Sequence, residues 1–393
     1  MSRLSLPQNY ILDEGSVYQD MQDDGNWSGS PVVNTDQYKN GTQSLKFTKT
    51  GGTIIPYKTI SEVFTTTRFS FWVYFHTDPL TTLSTLTFLI SSNPWSSYFS
   101  YEVGSANLTI GWNLISAHRS EFTAHGSEAW SNTMTRIGLN MTTIAGQTCT
   151  MSIGGINTGI EQTPRILITF DDGYSQVISA DCFTYMNDLG ISGTAYINSS
   201  TIGTTGRMTV ANLHTLYDAG WAVANHCSVH TDLRTITQSE AEELITVGAE
   251  YLSDLGFSRS CNHLAYPYGT YNQTVLAAAE NAGVLTGRLA GDISYTPFMG
   301  ADKLHLAADY VLGGTESLAT IKKHVDDAFA GGKTLILVFH KIVESVGTVE
   351  EWAIADFQAL IDYIIARRIP CVTIDEWYEG LTNPRYRSLP LSR

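Results

Sequence analysis

The chain has 393 residues, 43% of them apolar, with a formal net charge of -15 and a pI near 5.0. This length exceeds what one hydrophobic core usually serves, so two domains are expected. The acidic balance disfavours nucleic acid and anionic lipid surfaces as partners, and no apolar run of the sequence is long enough to span a bilayer.

Cysteine content and the first residues bear on the cellular location. The five cysteines include no CxxC pair, so no disulfide framework is predicted. The opening segment, MSRLSLPQNYILDEGS, lacks the apolar region of a signal peptide. The protein is therefore expected to stay inside the cell or to leave it by a route not encoded there, such as release within a virus particle.

The first part of the chain, residues 8–158, has the pattern of an all-β domain. Short apolar segments, one of them the aromatic RFSFWVYF, are separated by Gly, Asn, Ser and Pro, which is typical of a sandwich or a barrel. The predicted strands are 68–75, 86–92, 107–112, 136–141 and 149–155.

After a linker at 156–164, strands alternate with helices over residues 163–385, which predicts βα units and a mostly parallel sheet or barrel. The predicted strands are 165–170, 193–198, 221–226, 262–267, 284–288, 334–339 and 370–374. The predicted helices are 177–189, 210–219, 238–255, 273–282, 318–330 and 354–367. In such barrels the reactive residues lie at the carboxyl ends of the strands.

The first of these strands is followed by Asp171, Asp172 and Gly173. Adjacent strand residues point to opposite faces, so both carboxylates reach one site only if the chain turns at once, as Gly173 permits. One carboxylate can then bind a cation while the other accepts a proton from water. A solvated turn is the alternative, because Asp and Gly favour turns.

The strand WAVANH leads into His226, Cys227 and His230. Two histidines four residues apart share one face of a helical turn and can bind one zinc ion, while Cys227 should point elsewhere. Cys227 stands where the HExxH metalloproteases have Glu, so that class is disfavoured. Ordinary surface histidines are the alternative.

Two further strand ends carry candidate groups. The sequence YPYG, Tyr266 to Gly269, predicts a rigid turn that could present the Tyr268 N–H to an oxyanion, and His340 could act as a general acid. Taken singly, the first is only a turn and the second a structural histidine. The candidate motifs follow one another at successive strand ends of one βα domain, and this order makes a catalytic function of each more credible. Asp172, His226 and His230 would supply one oxygen and two nitrogens to a catalytic metal with a position open for water.

At this point the sequence resembles the polysaccharide deacetylases with a NodB homology domain (carbohydrate esterase family 4). The matching phrases are TFDDG, HCSVH, YPYG and VFH, in that order, within about 163–380. The resemblance implies a deformed (β/α)₇ barrel and a divalent metal, usually Zn²⁺, with Co²⁺, Ni²⁺ or Mn²⁺ as alternatives. It implies that Asp172, His226 and His230 bind the metal.

The resemblance also implies the catalytic roles. Asp171 would be the general base, His340 the general acid, and Tyr268 the source of an oxyanion-hole N–H. Tyr266 and Pro267 are expected to contribute to substrate binding. The substrate would be an acetylated polysaccharide with N- or O-linked acetyl groups, which suggests an extracellular, cell-surface or virion-associated location.

The chain departs from the family pattern at two points. Many members have Arg where Ala265 stands, and that Arg orients the catalytic Asp; we expect Arg288, after the next strand, to replace it. AYPYG resembles a subgroup that includes deacetylases of partly acetylated β-1,6-linked glucosamine polymers. The Asp that normally supports the acid His is not evident. Asp292 is a candidate for this role, and an ordinary loop aspartate is the alternative.

The first domain carries many of the tryptophans, which could stack on sugar rings or fill the core, as alternation favours for Trp72. NGTQSLKF and GWNLI are similar to phrases of jelly-roll, lectin-like modules. Two other functions remain open: an amidohydrolase acting on a non-sugar amide, and a glycan-binding protein of phage-tail or adhesion type with an inactive barrel. The tryptophans in question are Trp27, Trp72, Trp95, Trp112 and Trp130.

Overall fold

The computed structural model describes residues 16–22, 26–39, 41–66, 68–105, 108–158, 164–291, 303–311 and 316–382. They form two compact units that divide the chain at about residue 162. Among these residues, no helix combines the length and the apolar character needed to cross a lipid bilayer.

The first unit is rich in antiparallel strands. Its elements are β1 (Ser16–Gln19), β2 (Val32–Asn34), β3 (Ser44–Ile54), β4 (Tyr57–Glu62), β5 (Arg68–Phe75), α1 (Pro79–Thr82), β6 (Leu83–Asn93), β7 (Ser97–Gly104), β8 (Gly111–His118), β9 (Thr123–His125) and β10 (Met134–Thr158).

Two halves of this antiparallel structure share the strands β3 and β10. The later part of β10 pairs with β5, which pairs with β8, whereas its earlier part pairs with β6, which pairs with β7. Strand β3 follows β10 across a register shift between Thr143 and Thr148. The rings of Phe71 on β5 and Phe88 on β6 lie 4.7 Å apart, so the two halves enclose a common core. The expected all-β sandwich is confirmed.

Alternation along β5 separates core residues from residues on the outer face. Phe71 and Val73 belong to the core, whereas Trp72 packs on Trp112 at 6.1 Å. Trp72 is buried, as expected, but on the face opposite to Phe71. The strand predicted at 107–112 is wrong at residues 108–110, because β8 begins at Gly111.

The second unit contains β11 (Arg165–Phe170), α2 (Tyr185–Asp188), β12 (Thr194–Ile197), α3 (Val210–Asp218), β13 (Ala222–Asn225), α4 (Gln238–Asp254), β14 (His263–Ala265), α5 (Gln273–Asn281), β15 (Thr286–Arg288), β16 (Asp309–Tyr310), α6 (Leu318–Gly331), β17 (Thr334–Phe339), β18 (Lys341–Val343), β19 (Glu351–Ala353), α7 (Ile354–Ala366) and α8 (Ile374–Thr382).

A curled parallel sheet forms the centre of this unit. Within the described ranges its strand order is β15-β14-β13-β12-β11-β17-β16, with every pairing parallel. Single bridges join Arg288 to Leu306 and Gly291 to Asp309, linking the two ends of this order. The expected α/β class with a deformed barrel is thereby confirmed.

Two predicted elements of the second unit differ in the structure. The helix expected at 177–189 is a 3₁₀ turn, a π-type turn at Ala180–Thr184, and the short α2. The wider turn keeps Val177, Cys182 and Met186, spaced five and four residues apart, all in the core.

The strand expected at 370–374 is also wrong. Cys371 makes a single bridge to Ile166, and α8 then begins at Ile374. Thr373 and Glu376 bond reciprocally to each other's backbone N–H, which is a capping box. The spacing T-x-x-E in TIDE was therefore a helix-start signal in the sequence.

Candidate active site

The carboxyl ends of the parallel strands bring the candidate residues together. Asp171 and Asp172 follow β11, and the Asp171 N–H donates to the carbonyl of Phe339, the last residue of β17, at 2.9 Å. His226 follows β13, and its N–H donates to Ile197 at the end of β12 at 2.9 Å. Backbone hydrogen bonds to the neighbouring strands thus fix the Cα positions of Asp171 and His226.

Asp172, His226 and His230 form a compact group of ligand atoms. Asp172 Oδ1 lies 3.5 Å from His226 Nε2 and 3.6 Å from His230 Nε2. In a tetrahedral zinc site with bonds of roughly 2.0–2.1 Å, ligand atoms are about 3.4 Å apart. These three residues are the one such cluster in the part of the chain that the structure describes. Their donor atoms and spacing fit a divalent cation.

The histidine segment is a loop and not the helical turn that the spacing suggested. Cys227 has a left-handed backbone with φ of 65°. Its side chain is buried among apolar residues that include Leu233 and Ile245, and its N–H donates to Asn225 Oδ1 at 2.8 Å. Cys227 therefore faces away from the ligand group, although the reason is this loop geometry and not an angle on a helix.

The protonation of His226 is set by one hydrogen bond and by burial. Its Nδ1 lies 2.8 Å from the carbonyl oxygen of Ala265, which only accepts hydrogen bonds, so Nδ1 carries the proton. Burial holds the pKa of His226 below its ordinary value, with the nearby carboxylates opposing this effect. The neutral ring presents the lone pair of Nε2 towards Asp172.

Asp171 is paired with Arg288. The Nη2 atom of Arg288 donates to Asp171 Oδ1, and both side chains are buried. Burial alone would raise the pKa of Asp171, but Arg288, with His226 and His340, outweighs it and holds that pKa below its usual range. The Arg288 guanidinium also lies over the ring of Tyr196, 4.6 Å from its centroid. Asp171 is therefore held as a carboxylate.

The turn at Asp172 explains how two adjacent carboxylates reach one site. Asp172 and Gly173 both have a left-handed backbone, with φ of 67° and 66°. This conformation is uncommon for a residue other than Gly and tends to occur at functional sites. The immediate turn expected from Gly173 is present, and it begins one residue earlier.

Several contacts around this turn were not found in the sequence. Arg207 donates through Nη1 to the Asp172 carbonyl oxygen at 2.7 Å and stacks on the ring of Tyr174 at 3.7 Å. The Tyr174 hydroxyl donates to Glu350 Oε2 at 3.1 Å, and Lys341 Nζ lies 3.2 Å from the same oxygen. A single Arg in TTGRMTV carries no signal of such a contact.

The YPYG segment forms the expected tight turn, with φ of 60° at Tyr268. The Tyr268 side chain is 61% exposed, and its ring lies 4.5 Å from that of His230. Tyr266 and Pro267 are buried, and the Tyr266 hydroxyl donates to the Leu304 carbonyl at 2.9 Å. Both side chains pack beneath the turn, and the expected contribution of Tyr266 and Pro267 to substrate binding stays a prediction.

His340 stands beside two tyrosine rings, Tyr310 at 5.2 Å and Tyr174 at 6.4 Å. Its Nδ1 is buried and has no hydrogen-bond partner among the described residues. Asp292, the candidate support for this histidine, lies outside the described residues. The catalytic roles of Asp171, His340, Tyr268 and Arg288 stay predictions.

Part of the second unit is similar to known proteins. Residues 159–287 match the family model described as polysaccharide deacetylase. Similar curated proteins include one of Bacillus subtilis, provisionally named a polysaccharide deacetylase, which is 27% identical over 122 residues. Chitooligosaccharide deacetylase of Sinorhizobium fredii is 24% identical over 121 residues.

These alignments are partial. Each covers 31% of this chain, with 43% of the first protein and 54% of the second, so the chain spans about half of the length of these relatives. Among solved structures, the family 4 carbohydrate esterase from Streptomyces lividans in complex with acetate has a TM-score of 0.37 and 16% identity. That likeness covers 52% of this chain and 89% of the other.

Proposed function

We propose that this chain is a metal-dependent hydrolase that removes acetyl groups from a polysaccharide, because residues 159–287 match the family model described as polysaccharide deacetylase. The observation that supports this most directly is the ligand group Asp172, His226 and His230 with Oδ1–Nε2 distances of 3.5 and 3.6 Å. The adjacent carboxylate of Asp171, paired with Arg288, supplies a separate group for proton transfer.

The proposed cation is Zn²⁺, because two imidazoles and one carboxylate form a typical catalytic zinc set, with Co²⁺, Ni²⁺ and Mn²⁺ as alternatives. When bound, such a cation supplies Lewis acidity, which lowers the pKa of water towards about 7. The contact of His226 Nδ1 with the Ala265 carbonyl holds that ring in the tautomer that binds metal.

The remaining steps belong to side chains of this chain. Asp171 takes the proton of the attacking water, because its depressed pKa keeps it ionised before the reaction. Arg288 orients the Asp171 carboxylate. The Tyr268 N–H donates to the oxyanion that forms on the acetyl carbonyl, and His340 gives a proton to the leaving amine or alcohol. Acetate and a free amino or hydroxyl group result.

Acetate release tests this function. The full chain is incubated with a panel of N- and O-acetylated polysaccharides, with and without a chelator, and bound metal is measured in parallel. We expect release from at least one polymer, loss of release with chelator, and recovery on adding Zn²⁺.

The same measurements separate the alternatives. A protein that binds metal and releases acetate from no glycan would point to an amidohydrolase acting on a non-sugar amide. A protein that binds glycans and neither holds metal nor releases acetate would be a binding protein with an inactive barrel.

A second candidate function concerns the first unit, which we propose binds carbohydrate on the outer face of β5 and β8. Trp112 lies across from Tyr74, with the rings 5.3 Å apart, and both side chains are half-buried. Trp130, in contrast, stacks on Phe99 at 3.9 Å as part of the core packing. Aromatic rings that remain partly exposed can stack on sugar rings.

Glycan binding by the full chain tests this second function. Trp112→Ala should weaken binding on a glycan array, whereas Trp95→Ala should not. Trp95 is a matched control, because it is also half-buried and packs edge-on against a tyrosine, Tyr57, at 5.6 Å. Absence of binding by the parent chain would favour a spacer or assembly role for this unit.

A further inference from the structure

The two carboxylate oxygens of Asp172 face different partners. Oδ1 faces the histidines, at 3.5 Å from His226 Nε2 and 3.6 Å from His230 Nε2. Oδ2 lies 3.8 Å from Nη1 of Arg207. The same Nη1 donates to the carbonyl oxygen of Asp172 at 2.7 Å. One guanidinium therefore contacts both the backbone and the side chain of this residue.

The backbone around Arg207 also holds the turn that carries Asp172. Met208 N–H donates to the Gly173 carbonyl at 2.8 Å, and Ser175 N–H donates to the Gly206 carbonyl at 2.9 Å. The left-handed conformation of Asp172 is strained for a residue with a side chain and persists only when its surroundings fix it. The 206–208 segment provides that fixation from one side.

The guanidinium is itself held in place. It stacks on the Tyr174 ring at 3.7 Å, and the Tyr174 hydroxyl donates to Glu350 at 3.1 Å. Lys341, the residue after His340, lies 3.2 Å from the same carboxylate oxygen of Glu350. The Arg207 side chain is 21% exposed, so much of its conformational freedom is already lost before any ligand arrives.

We propose that Arg207 is a positioning residue that holds Asp172 so that Oδ1 faces the cation while Oδ2 is kept away from it. This role rests on the proposed metal site, which it deepens by assigning a residue that controls how the carboxylate binds. A carboxylate can bind a cation through one oxygen or two, and the partner of its second oxygen decides between them. Groups that orient metal ligands typically change metal affinity by about 10–100-fold when removed.

Zinc affinity tests the role without reference to activity. The full chain is stripped with a chelator, and the dissociation constant for Zn²⁺ is measured by competition with a chromophoric chelator. Arg207→Met should bind Zn²⁺ at least about 10-fold more weakly than the parent. Arg207→Lys keeps the charge and one donor group, and should recover part of the loss.

Arg259 offers a matched control. It stacks on Tyr217 at 4.2 Å, donates to the Trp221 carbonyl at 2.6 Å and pairs with Asp375 at 2.8 Å. Trp221 precedes β13, whereas His226 follows it, so these contacts are at the opposite end of the strand. Arg259→Met should lower stability in the way any lost Arg contact does, and leave the Zn²⁺ dissociation constant unchanged.

Two further measurements keep the test independent of folding defects. In the Co²⁺-substituted protein, Arg207→Met should weaken the visible absorption, because a carboxylate that binds through both oxygens raises the coordination number. Tyr174→Leu removes the stack under the guanidinium and should reproduce part of the affinity loss, whereas Tyr174→Phe keeps the ring and should change it little.

The outcomes separate this role from the proposed function. Equal or tighter Zn²⁺ binding by Arg207→Met, with an unchanged Co²⁺ spectrum, would overturn the role of Arg207 and leave the metal site intact. A parent chain that binds neither ion would remove the metal site, and the role of Arg207 with it. If Arg259→Met lost as much Zn²⁺ affinity as Arg207→Met, the loss would be explained by lower stability alone, and the role of Arg207 would be overturned.

Discussion

Arg288 and Asp171 are 117 residues apart in the sequence and form a buried ion pair inside the barrel. Strand β15 stands four steps from β11 in the sheet order. In a flat sheet four steps would separate the strands by about 19 Å, which is beyond the reach of an Arg side chain. The pair is therefore possible only because the sheet curls, and it fixes the proposed base from across the interior.

Removal of Arg288 should destabilise the protein strongly. Arg288→Met leaves the Asp171 carboxylate buried without its partner, since their side chains are 0% and 6% exposed. The expected loss in the free energy of unfolding is about 3–5 kcal/mol, measured by urea unfolding of the metal-free chain. The double variant Asp171→Asn/Arg288→Met should regain much of the lost stability, because it buries no charge, but it should remain inactive. A single variant no less stable than the double variant would contradict the pairing.

Asp171→Asn should abolish deacetylation and leave metal binding largely intact. The amide has the shape of the carboxylate but cannot accept the proton, and Asp171 is not one of the three clustered ligand residues. Acetate release and bound metal are measured on the same preparation. Unimpaired deacetylation by this variant would remove Asp171 as the base.

Cys227→Ser should keep both metal and activity. The Cys227 side chain is buried among apolar residues away from the ligand group, and its backbone N–H bond to Asn225 does not depend on the side chain. A modest fall in stability, on the order of 1–3 kcal/mol, is expected from burying a hydroxyl. Loss of metal in this variant would mean that the sulfur takes part in the site.

Gly248→Ala should disturb the loop that carries His226 and His230, because α4 packs against this loop at Gly248. A Cβ atom on Gly248 of α4 would lie 2.5 Å from Asn225 Oδ1 and 2.8 Å from the carbonyl carbon of Cys227. Overpacking of this kind costs about 1–3 kcal/mol, against a gain of about 1 kcal/mol in helix propensity. We expect weaker Zn²⁺ binding together with lower stability.

Val247→Ala is the control for that variant, because its side chain in the same helix is 45% exposed. It should change stability by no more than about 0.5 kcal/mol. Zinc binding by Gly248→Ala equal to that of Val247→Ala would show that the helix does not constrain the loop.

His263 should make stability depend on pH. Burial, reinforced by Lys303, lowers the pKa of His263 from 6.5 to about 3 in the folded chain. Between these two values the unfolded chain binds a proton that the folded chain does not, so the free energy of unfolding falls as pH falls. The slope contributed by this group is at most about 1.4 kcal/mol per pH unit.

Urea unfolding of the chelator-treated chain at pH 7 and pH 4.5 measures this slope. His263→Gln should be less stable at pH 7, because the bond of His263 Nδ1 to Thr286 Oγ1 at 2.9 Å is disturbed, but should lose less stability on acidification. Equal losses in the two proteins would assign the acid sensitivity to other groups.

The sequence was informative where a residue's position follows from its own strand. His226 and His340 each lie directly after a parallel strand, Asp172 lies two residues after another, and parallel strands end at one edge. Arg288 could be nominated because it ends the next strand, although nothing local indicated that it would reach Asp171.

Other parts of the site depend on contacts between distant segments. Arg207 and Glu350 approach Asp172 and Tyr174 from loops whose sequences specify no partner. The spacing of His226 and His230 suggested a helix, but the segment is a loop, and the preceding Asn225 donates through Nδ2 to the Ile245 carbonyl of α4. Side-chain burial at Tyr266 was likewise decided by packing and not by the motif.

The path of β3 and β10 has a practical consequence for the first unit. Strands β3 and β10 form backbone hydrogen bonds in both halves of the sandwich. Neither half would therefore keep all of its strand pairings if the other half were removed. Cutting the chain between Thr143 and Thr148 would separate the part of β10 that pairs with β6 from the part that pairs with β5. Glycan-binding fragments should therefore retain residues 44–158 as one piece, and the unit should unfold in a single cooperative transition.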